Sequence, residues 1–355
     1  MNIFAEITGL KYTPFLCRRL NTFNFDEIGT ALSAEAAFIL RIDGENQIAL
    51  SSWVSPKRTR SYPYARVYNT LNFSGKRVTI IPVVKDEGKR GDRDFLQWDT
   101  VSLMSLLGVY VIISHYADAS RSPRYRHKIT DQRFDLGHIK SEIQKLLSYQ
   151  SDALHWNLSQ IDNVGKIGQK ALKSYTNISE RLDVEMHSIE SAEKRINRLL
   201  EGKETFMDMS RGLAEQAQKR ESVTTQPKEL LAGIKATLTI RNYLGGCYYL
   251  TCDEVEIHEK DIYLTEAKHT KTDNLPSFDD IKDGLLKMIL FTNLEGVKIG
   301  EITYNPVPVL KLTTGSGFDI ELLNDSKKEL LFILRKEAKI NGFKIVINGN
   351  FLALW

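Results

Sequence analysis

The run Ile262-Tyr263-Leu264-Thr265-Glu266-Ala267-Lys268 reads as a strand, and a second apolar and aromatic run, Tyr248-Tyr249-Leu250-Thr251-Cys252, lies just before it. A helix is expected next. Ser277 is a good N-cap, acids crowd the first turn at Asp279 and Asp280, and Ile281, Leu285, Met288 and Ile289 make one apolar stripe. Val297 to Tyr304 and Val307 to Leu312 then read as strands, Ser326 to Ile340 as a helix and Phe343 to Ile347 as a last strand. Residues 233–355 thus run strand, strand, helix, strands, helix, strand.

The first 130 residues pattern as an α/β region. Ala37 to Ile42 and Gln47 to Val54 form an expected hairpin about Asp43-Gly44-Glu45-Asn46, Arg77 to Val84 a third strand and Val109 to Tyr116 a fourth, with a helix from Phe95 to Leu107 before the last. The middle, 131–232, reads as helical. Ile178, Leu182, Met186, Ile189, Ile196 and Leu199 recur at helical spacing among many charges, without a sustained heptad. Such a segment is expected to act as a spacer or a dimerisation arm. The chain as a whole is expected to be mixed α/β.

With 355 residues, 42% hydrophobic and 26% charged, the composition is that of an ordinary globular protein of two or three domains. No apolar run approaches the roughly 20 residues of a membrane span, and Met1 to Tyr12 lacks a basic stretch followed by an apolar one. Cys17, Cys247 and Cys252 give an odd count with no framework, which fits a reducing, cytoplasmic setting and no membrane. A net charge of +3 does not by itself argue for nucleic acid. The placement of the charges matters more.

Glu266 and Lys268 lie two apart on the expected strand, so both leave one face of the sheet, and Asp253 closes the preceding run. If the two strands are neighbours, two carboxylates and an ammonium converge. Hard oxygen ligands of this kind hold Mg²⁺ through one or two carboxylates, and a lysine beside them can orient or deprotonate a water and offset phosphorane charge. The acid-x-lysine triplet alone is weak, since it recurs at Glu87/Lys89, Glu201/Lys203, Asp280/Lys282, Asp325/Lys327 and Glu337/Lys339. A salt bridge at a sheet edge would use the same residues. Only the copy at Glu266 ends a plausible strand with an acid in the strand before it.

Asp253, the Glu266-Ala267-Lys268 triplet and the helix after it resemble the PD-(D/E)xK nuclease core, a helix-flanked mixed sheet shared by restriction and DNA-repair nucleases. Leu264 to His269 followed by Asp280 to Met288 is similar to type II restriction endonucleases in particular. Cys252 stands where that pattern often has proline. The resemblance covers about the last 120 residues. It implies a sequence-specific endonuclease acting on double-stranded DNA with Mg²⁺, with Asp253 and Glu266 as metal ligands and Lys268 positioning the attacking water. It further implies a homodimer, matched to a palindromic site, and a cognate DNA methyltransferase as a functional rather than physical partner. A structure-selective or repair nuclease with the same core, or a DNA-binding protein without activity, are the alternatives.

Two basic clusters interleaved with tyrosines suit phosphate contacts and groove reading: Lys57, Arg58, Arg60 and Arg66 with Tyr62, Tyr64 and Tyr68, and Arg124 and Arg126 around Tyr125. Lys89, Arg90 and Arg93, in the loop that carries the rival Glu87/Lys89 triplet, and His269 and Lys271, just past Lys268, are further DNA-contact candidates. The alternative for the two basic clusters is a solvated surface loop, and for the Glu87/Lys89 loop a structural turn. No Walker or dinucleotide-binding glycine pattern is present, and Cys247, Cys252, His258 and His269 match no common zinc spacing.

Overall fold

The computed structural model describes residues 1–56, 63–201, 205, 234–242 and 247–352. Lys57, Arg58, Arg60 and Tyr62, and the expected helical stretch past residue 201 except position 205, lie outside the described residues. The protein is mixed α/β with several sheets. It divides into two compact units, Met1–Arg18 with Arg211–Trp355, and Arg19–Ser210.

These boundaries differ from the division into 1–130, 131–232 and 233–355 expected from the sequence. Strand β1, Asn2–Ile7, alternates exposed and buried residues and pairs in parallel with Ile234–Asn242, Ile3 opposite Leu238 and Ala5 opposite Ile240. A strand with one apolar face must bury it, but its pattern does not say against which distant strand.

The unit of residues 19–210 holds β2 (Thr22–Asn24), α1 (Ile28–Ala34), β3 (Ala37–Arg41), β4 (Gln47–Ser52), α2 (Pro63–Tyr68) and β5 (Lys76–Pro82). There follow β6 (Val84–Asp86), β7 (Arg93–Phe95), α3 (Trp98–Leu106), β8 (Val109–Ser114), β9 (Tyr116–Arg121) and β10 (Ile129–Phe134). Four helices complete it: α4 (Leu136–Leu147), α5 (Ala153–Asp162), α6 (Val164–Leu182) and α7 (Ile189–Leu200). The main sheet runs β2-β3-β4-β5-β8, with β4, β5 and β8 mutually parallel. The β3–β4 hairpin turns where expected, because Asp43 Oδ1 accepts from the N–H groups of Glu45 and Asn46 at 2.9 and 2.7 Å.

Phe38, Leu40, Ile48, Leu50, Val78, Ile80 and Ile112 pack with Ile28 of α1, Ile139, Ile143 and Leu146 of α4, and Trp156 of α5. The helices after residue 135 therefore complete this unit's own core. Asn157 of α5 ties them to the sheet, accepting from Val111 N–H at 2.6 Å and donating to Val109 O at 3.0 Å.

In the other unit β1 is joined by β11 (Ile234–Asn242), β12 (Cys247–His258), β13 (Asp261–His269), α8 (Phe278–Phe291), β14 (Glu295–Ile299) and β15 (Ile302–Thr303). It ends in β16 (Asn305–Thr313), α9 (Asp325–Asn341), β17 (Lys344–Ile347) and β18 (Asn350–Phe351). The sheet order is β15-β14-β1-β11-β12-β13-β16-β17-β18. Val297 to Tyr304, expected as one strand, is instead the short β14–β15 pair, turned at Gly300 with a left-handed φ of 59°. Ser277 caps α8 as expected, accepting from Asp280 N–H at 3.1 Å.

Candidate active site

β12 and β13 are antiparallel neighbours in register from His258↔Asp261 to Glu254↔Thr265, which brings Asp253 beside Glu266. Beyond that point Ala267 N–H donates to Asp253 Oδ2 at 2.9 Å, so the aspartate is held by the backbone of the facing strand. The Asp253 carboxyl also lies close enough to Glu266 to feel its charge. Lys268, two residues on, leaves the same face as Glu266, and its Nζ lies 2.9 Å from Glu266 Oε1. The structure thus brings Asp253, Glu266 and Lys268 together.

Helix α8 closes over this face and adds two residues that the strand pattern did not single out. Asp283 Oδ2 lies 3.3 Å from Lys268 Nζ, and Lys287 Nζ lies 2.5 Å from Glu266 Oε2 and 3.3 Å from Thr251 O. Residues four apart share a helix face. That spacing is visible in the sequence, on the flank of the apolar stripe of Ile281, Leu285, Met288 and Ile289. Each oxygen of Glu266 therefore faces its own ammonium.

Burial and charge oppose one another here. Burial pushes the Glu266 carboxyl up, yet Lys268 and Lys287 outweigh it and hold the group down at about 2. Burial, then the neighbouring Glu266 charge, push Asp253 up to about 7. Burial also raises Asp283, partly countered by Lys268. Burial pulls Lys268 down, but Glu266 and Asp283 reverse this and raise it, so it stands as an ammonium. The cluster is two lysines serving three carboxyls, with Asp283 Oδ1 buried and without a hydrogen-bond partner.

Among the described residues, no group of three or more His, Cys, Asp or Glu side chains is arranged around one point as metal ligands. A metal here would rest on Asp253 and Glu266. Mg²⁺ is ordinarily held by one or two carboxylates with water and phosphate in the remaining positions. Asp253 and Glu266 are neighbouring hard oxygen donors of the kind Mg²⁺ takes, and an ion here would share the Glu266 oxygens with Lys268 and Lys287. Cys252 is buried between Glu254 O and Thr265 O, each 3.3 Å from its sulfur, and burial raises its thiol.

The rival Glu87/Lys89 triplet comes apart. Glu87 pairs with Lys85 at 3.0 Å and with Lys128 at 4.0 Å, whereas Lys89 turns to Glu185. Asp86 faces the opposite way and meets His187 Nδ1 at 2.8 Å.

The candidate DNA contacts are of two kinds. Arg66 is half-buried and donates to Ser52 O at 2.7 Å, and Tyr64 and Tyr68 are buried on α2, Tyr64 edge-on to Trp53. What reads in sequence as a basic, aromatic loop is from residue 63 a helix, whose tyrosines, four apart, face inward. Arg93 donates to Ser188 O at 2.9 Å and lies over Phe95. Arg90, Arg124, Arg126 and Lys271 are exposed, as is Lys89 despite its partner. His269 Nδ1 lies 2.9 Å from Thr313 Oγ1 at the strand end past Lys268.

No protein-family model, curated protein or solved structure matches the chain. No helix among the described residues is long and apolar enough to cross a membrane.

Proposed function

We propose that the protein is a Mg²⁺-dependent endonuclease with a PD-(D/E)xK core, and specifically a type II restriction enzyme that hydrolyses phosphodiesters in double-stranded DNA. The supporting observation is the convergence of Asp253, Glu266 and Lys268 on one face of β12 and β13. Asp253 and Glu266 would hold the ion. Bound there, Mg²⁺ supplies Lewis-acid polarisation of a phosphoryl oxygen and an acidified water.

Lys268 stays charged beside Glu266 and Asp283, so its task is to donate to the attacking water and to developing negative charge, not to take a proton. Lys287 holds the second oxygen of Glu266 and fixes the carboxylate plane. Exposed Arg124, Arg126 and Lys271 supply phosphate contacts. In this reading the enzyme works in the cytoplasm as a homodimer, because two antiparallel strands of a palindrome call for two sites about a twofold axis, and a cognate methyltransferase protects host DNA.

The test is digestion of phage DNA with Mg²⁺ or with EDTA, followed by mapping of fragment ends. Discrete fragments only with Mg²⁺ are expected, lost on Asp253→Ala, Glu266→Ala or Lys268→Ala by on the order of a thousandfold in rate. A smear would point to a structure-selective nuclease with the same core. No cleavage under any condition would leave a DNA-binding protein and overturn the reading.

A further inference from the structure

The unit of residues 19–210 contains a cleft of about 740 Å³, within the range of small-molecule sites. It opens at the carboxyl ends of the parallel strands: Ser52 ends β4 and Val54 follows it, Lys85 and Glu87 follow β5, and Tyr116 follows β8. Open α/β sheets bind ligands at that edge.

Its lining is mixed in chemistry. Leu32, Val54, Phe134 and Leu136 line it with apolar surface. Lys85 and Glu87, 3.0 Å apart, supply a donor and an acceptor side by side. The pair disfavours a purely anionic or a purely cationic ligand, and it matches a planar base edge on which an acceptor adjoins an N–H.

The rim is built for phosphate and stacking. The turn between β9 and β10 carries Tyr125, 55% exposed, with Lys128 Nζ 5.8 Å from its ring centre and exposed Arg124 and Arg126 on either side. The turn is held by bonds between Ser122 N–H and Lys128 O and between Lys128 N–H and Tyr125 O, both 2.9 Å. A Cβ at Gly88, where φ is +102°, would stand 2.7 Å from His127 O, so only glycine lets the Glu87 segment lie against this turn. The opposite strand carries a bulge at Asp131, a non-glycine residue at a left-handed φ of 48° that also lines the cleft.

We infer that this cleft binds a nucleotide, its base edge read by Lys85 and Glu87 and its phosphate held at the Tyr125–Lys128 rim. The nucleotide is either a free one or a base extruded from DNA, and the second source rests on the nuclease reading. The Lys85–Glu87 segment, which plays no part in the cluster around Glu266, thereby acquires a role.

Two arms test it on the full chain. In the first, each of the four deoxynucleoside 5′-monophosphates, with inorganic phosphate as control, is titrated by calorimetry and thermal shift. In the second, a mismatch is walked across the mapped cleavage site of a duplex, since removing the unpairing cost tightens capture of an extruded base, by roughly tenfold or more. A response in the first arm alone assigns a free nucleotide, and a response in the second assigns DNA. Either response, lost on Lys85→Ala and on Glu87→Gln, is the expected result. If the wild-type protein responds in neither arm, or the variants respond as it does, the proposal fails, even where Mg²⁺-dependent cleavage is intact. If cleavage is absent, the first arm alone decides.

Discussion

Gly284 of α8 lies so close over Lys268 that a Cβ on it would stand 3.2 Å from Lys268 Cε and 2.8 Å from Leu310 Cδ1. The bare position lets the helix settle on β13 and β16, with Asp283 against Lys268 and Lys287 against Glu266. A glycine inside a helix costs about 0.5–1 kcal/mol relative to alanine, so close packing, not propensity, accounts for it. Leu310 can turn away from an added methyl, but Lys268 must give by a few tenths of an ångström. Gly284→Ala is therefore expected to leave the melting temperature within a few degrees while lowering the cleavage rate, about tenfold, because sub-ångström misplacement of a positioned group is costly. Gly284→Val should lose far more of both. Equal rates for wild type and the alanine variant would show that the close approach does not matter to the chemistry.

Lys287 separates a structural from a chemical role within the cluster. Removing one partner of a buried ion pair typically costs roughly 3–5 kcal/mol, but Lys268 remains on Glu266 when Lys287 is lost, so a smaller cost of roughly 1–3 kcal/mol is expected for Lys287→Ala. Cleavage should fall, though less than for Lys268→Ala, since Lys287 acts through Glu266. Urea unfolding and single-turnover cleavage of both variants give the comparison. A larger rate loss at Lys287 than at Lys268 would exchange the two roles.

Much of the site's geometry was legible because it is local. Glu266 and Lys268 share a face by strand alternation, and Asp253 reaches them because only a two-residue turn, Glu259-Lys260, separates β12 from β13. The helix that follows was legible from Ser277 and the Ile281–Leu285–Ile289 stripe. What could not be read depends on distant partners. Nothing in Asn2–Ile7 names β11 as its neighbour, and nothing in α5 announces that Asn157 will bond the backbone of β8. Tyr64 and Tyr68, among basic residues, have the pattern of one exposed surface, whereas their spacing of four is also that of a buried helical face. Tertiary packing chose the second.

Binding of a divalent cation can be separated from catalysis with Ca²⁺. A ligand that binds only the folded state stabilises it by about 2.7 kcal/mol at a hundredfold excess over Kd, several degrees in melting temperature. Wild type and Lys268→Ala are expected to show this shift with Ca²⁺, and Asp253→Asn and Glu266→Gln to lose it. Differential scanning fluorimetry over a Ca²⁺ series reads it directly. A shift that survives both carboxylate substitutions would place the cation elsewhere.

The other unit carries its own pH dependence through His115. Burial lowers the pKa of this imidazole, Asp135 at 3.8 Å opposes that in part, and His138 and Lys170 lower it further. Its Nδ1 is buried without a hydrogen-bond partner. The folded state therefore holds His115 neutral, and the unfolded chain takes up the proton first. The resulting stability is fully present above the unfolded pKa of about 6.5 and is lost as pH falls through the depressed folded value. Between pH 7 and 5 the urea midpoint of the wild-type protein should drop more steeply than that of His115→Gln. Parallel curves would show that this histidine does not set the slope.

Arg66 and Arg124, both basic candidates for DNA contact, are expected to respond oppositely to the same change. Arg66 is half-buried with its guanidinium on Ser52 O, so Arg66→Ala removes a charged hydrogen bond at the end of β4 and should destabilise the fold by roughly 1.5–3 kcal/mol. Arg124 is exposed on the β9–β10 turn, so Arg124→Ala should leave the melting temperature unchanged. Its effect belongs in binding. The slope of log affinity against log salt should fall by about one for each phosphate that is no longer neutralised. Affinity should drop alike for all sequences if Arg124 meets only phosphate, or by about 1–3 kcal/mol with relaxed preference if it reads a base. Fluorescence anisotropy with Ca²⁺ in place of Mg²⁺, over a salt series and on cleaved and scrambled duplexes, measures both. An unchanged slope and unchanged preference for Arg124→Ala and Arg126→Ala together would remove this turn from the DNA interface.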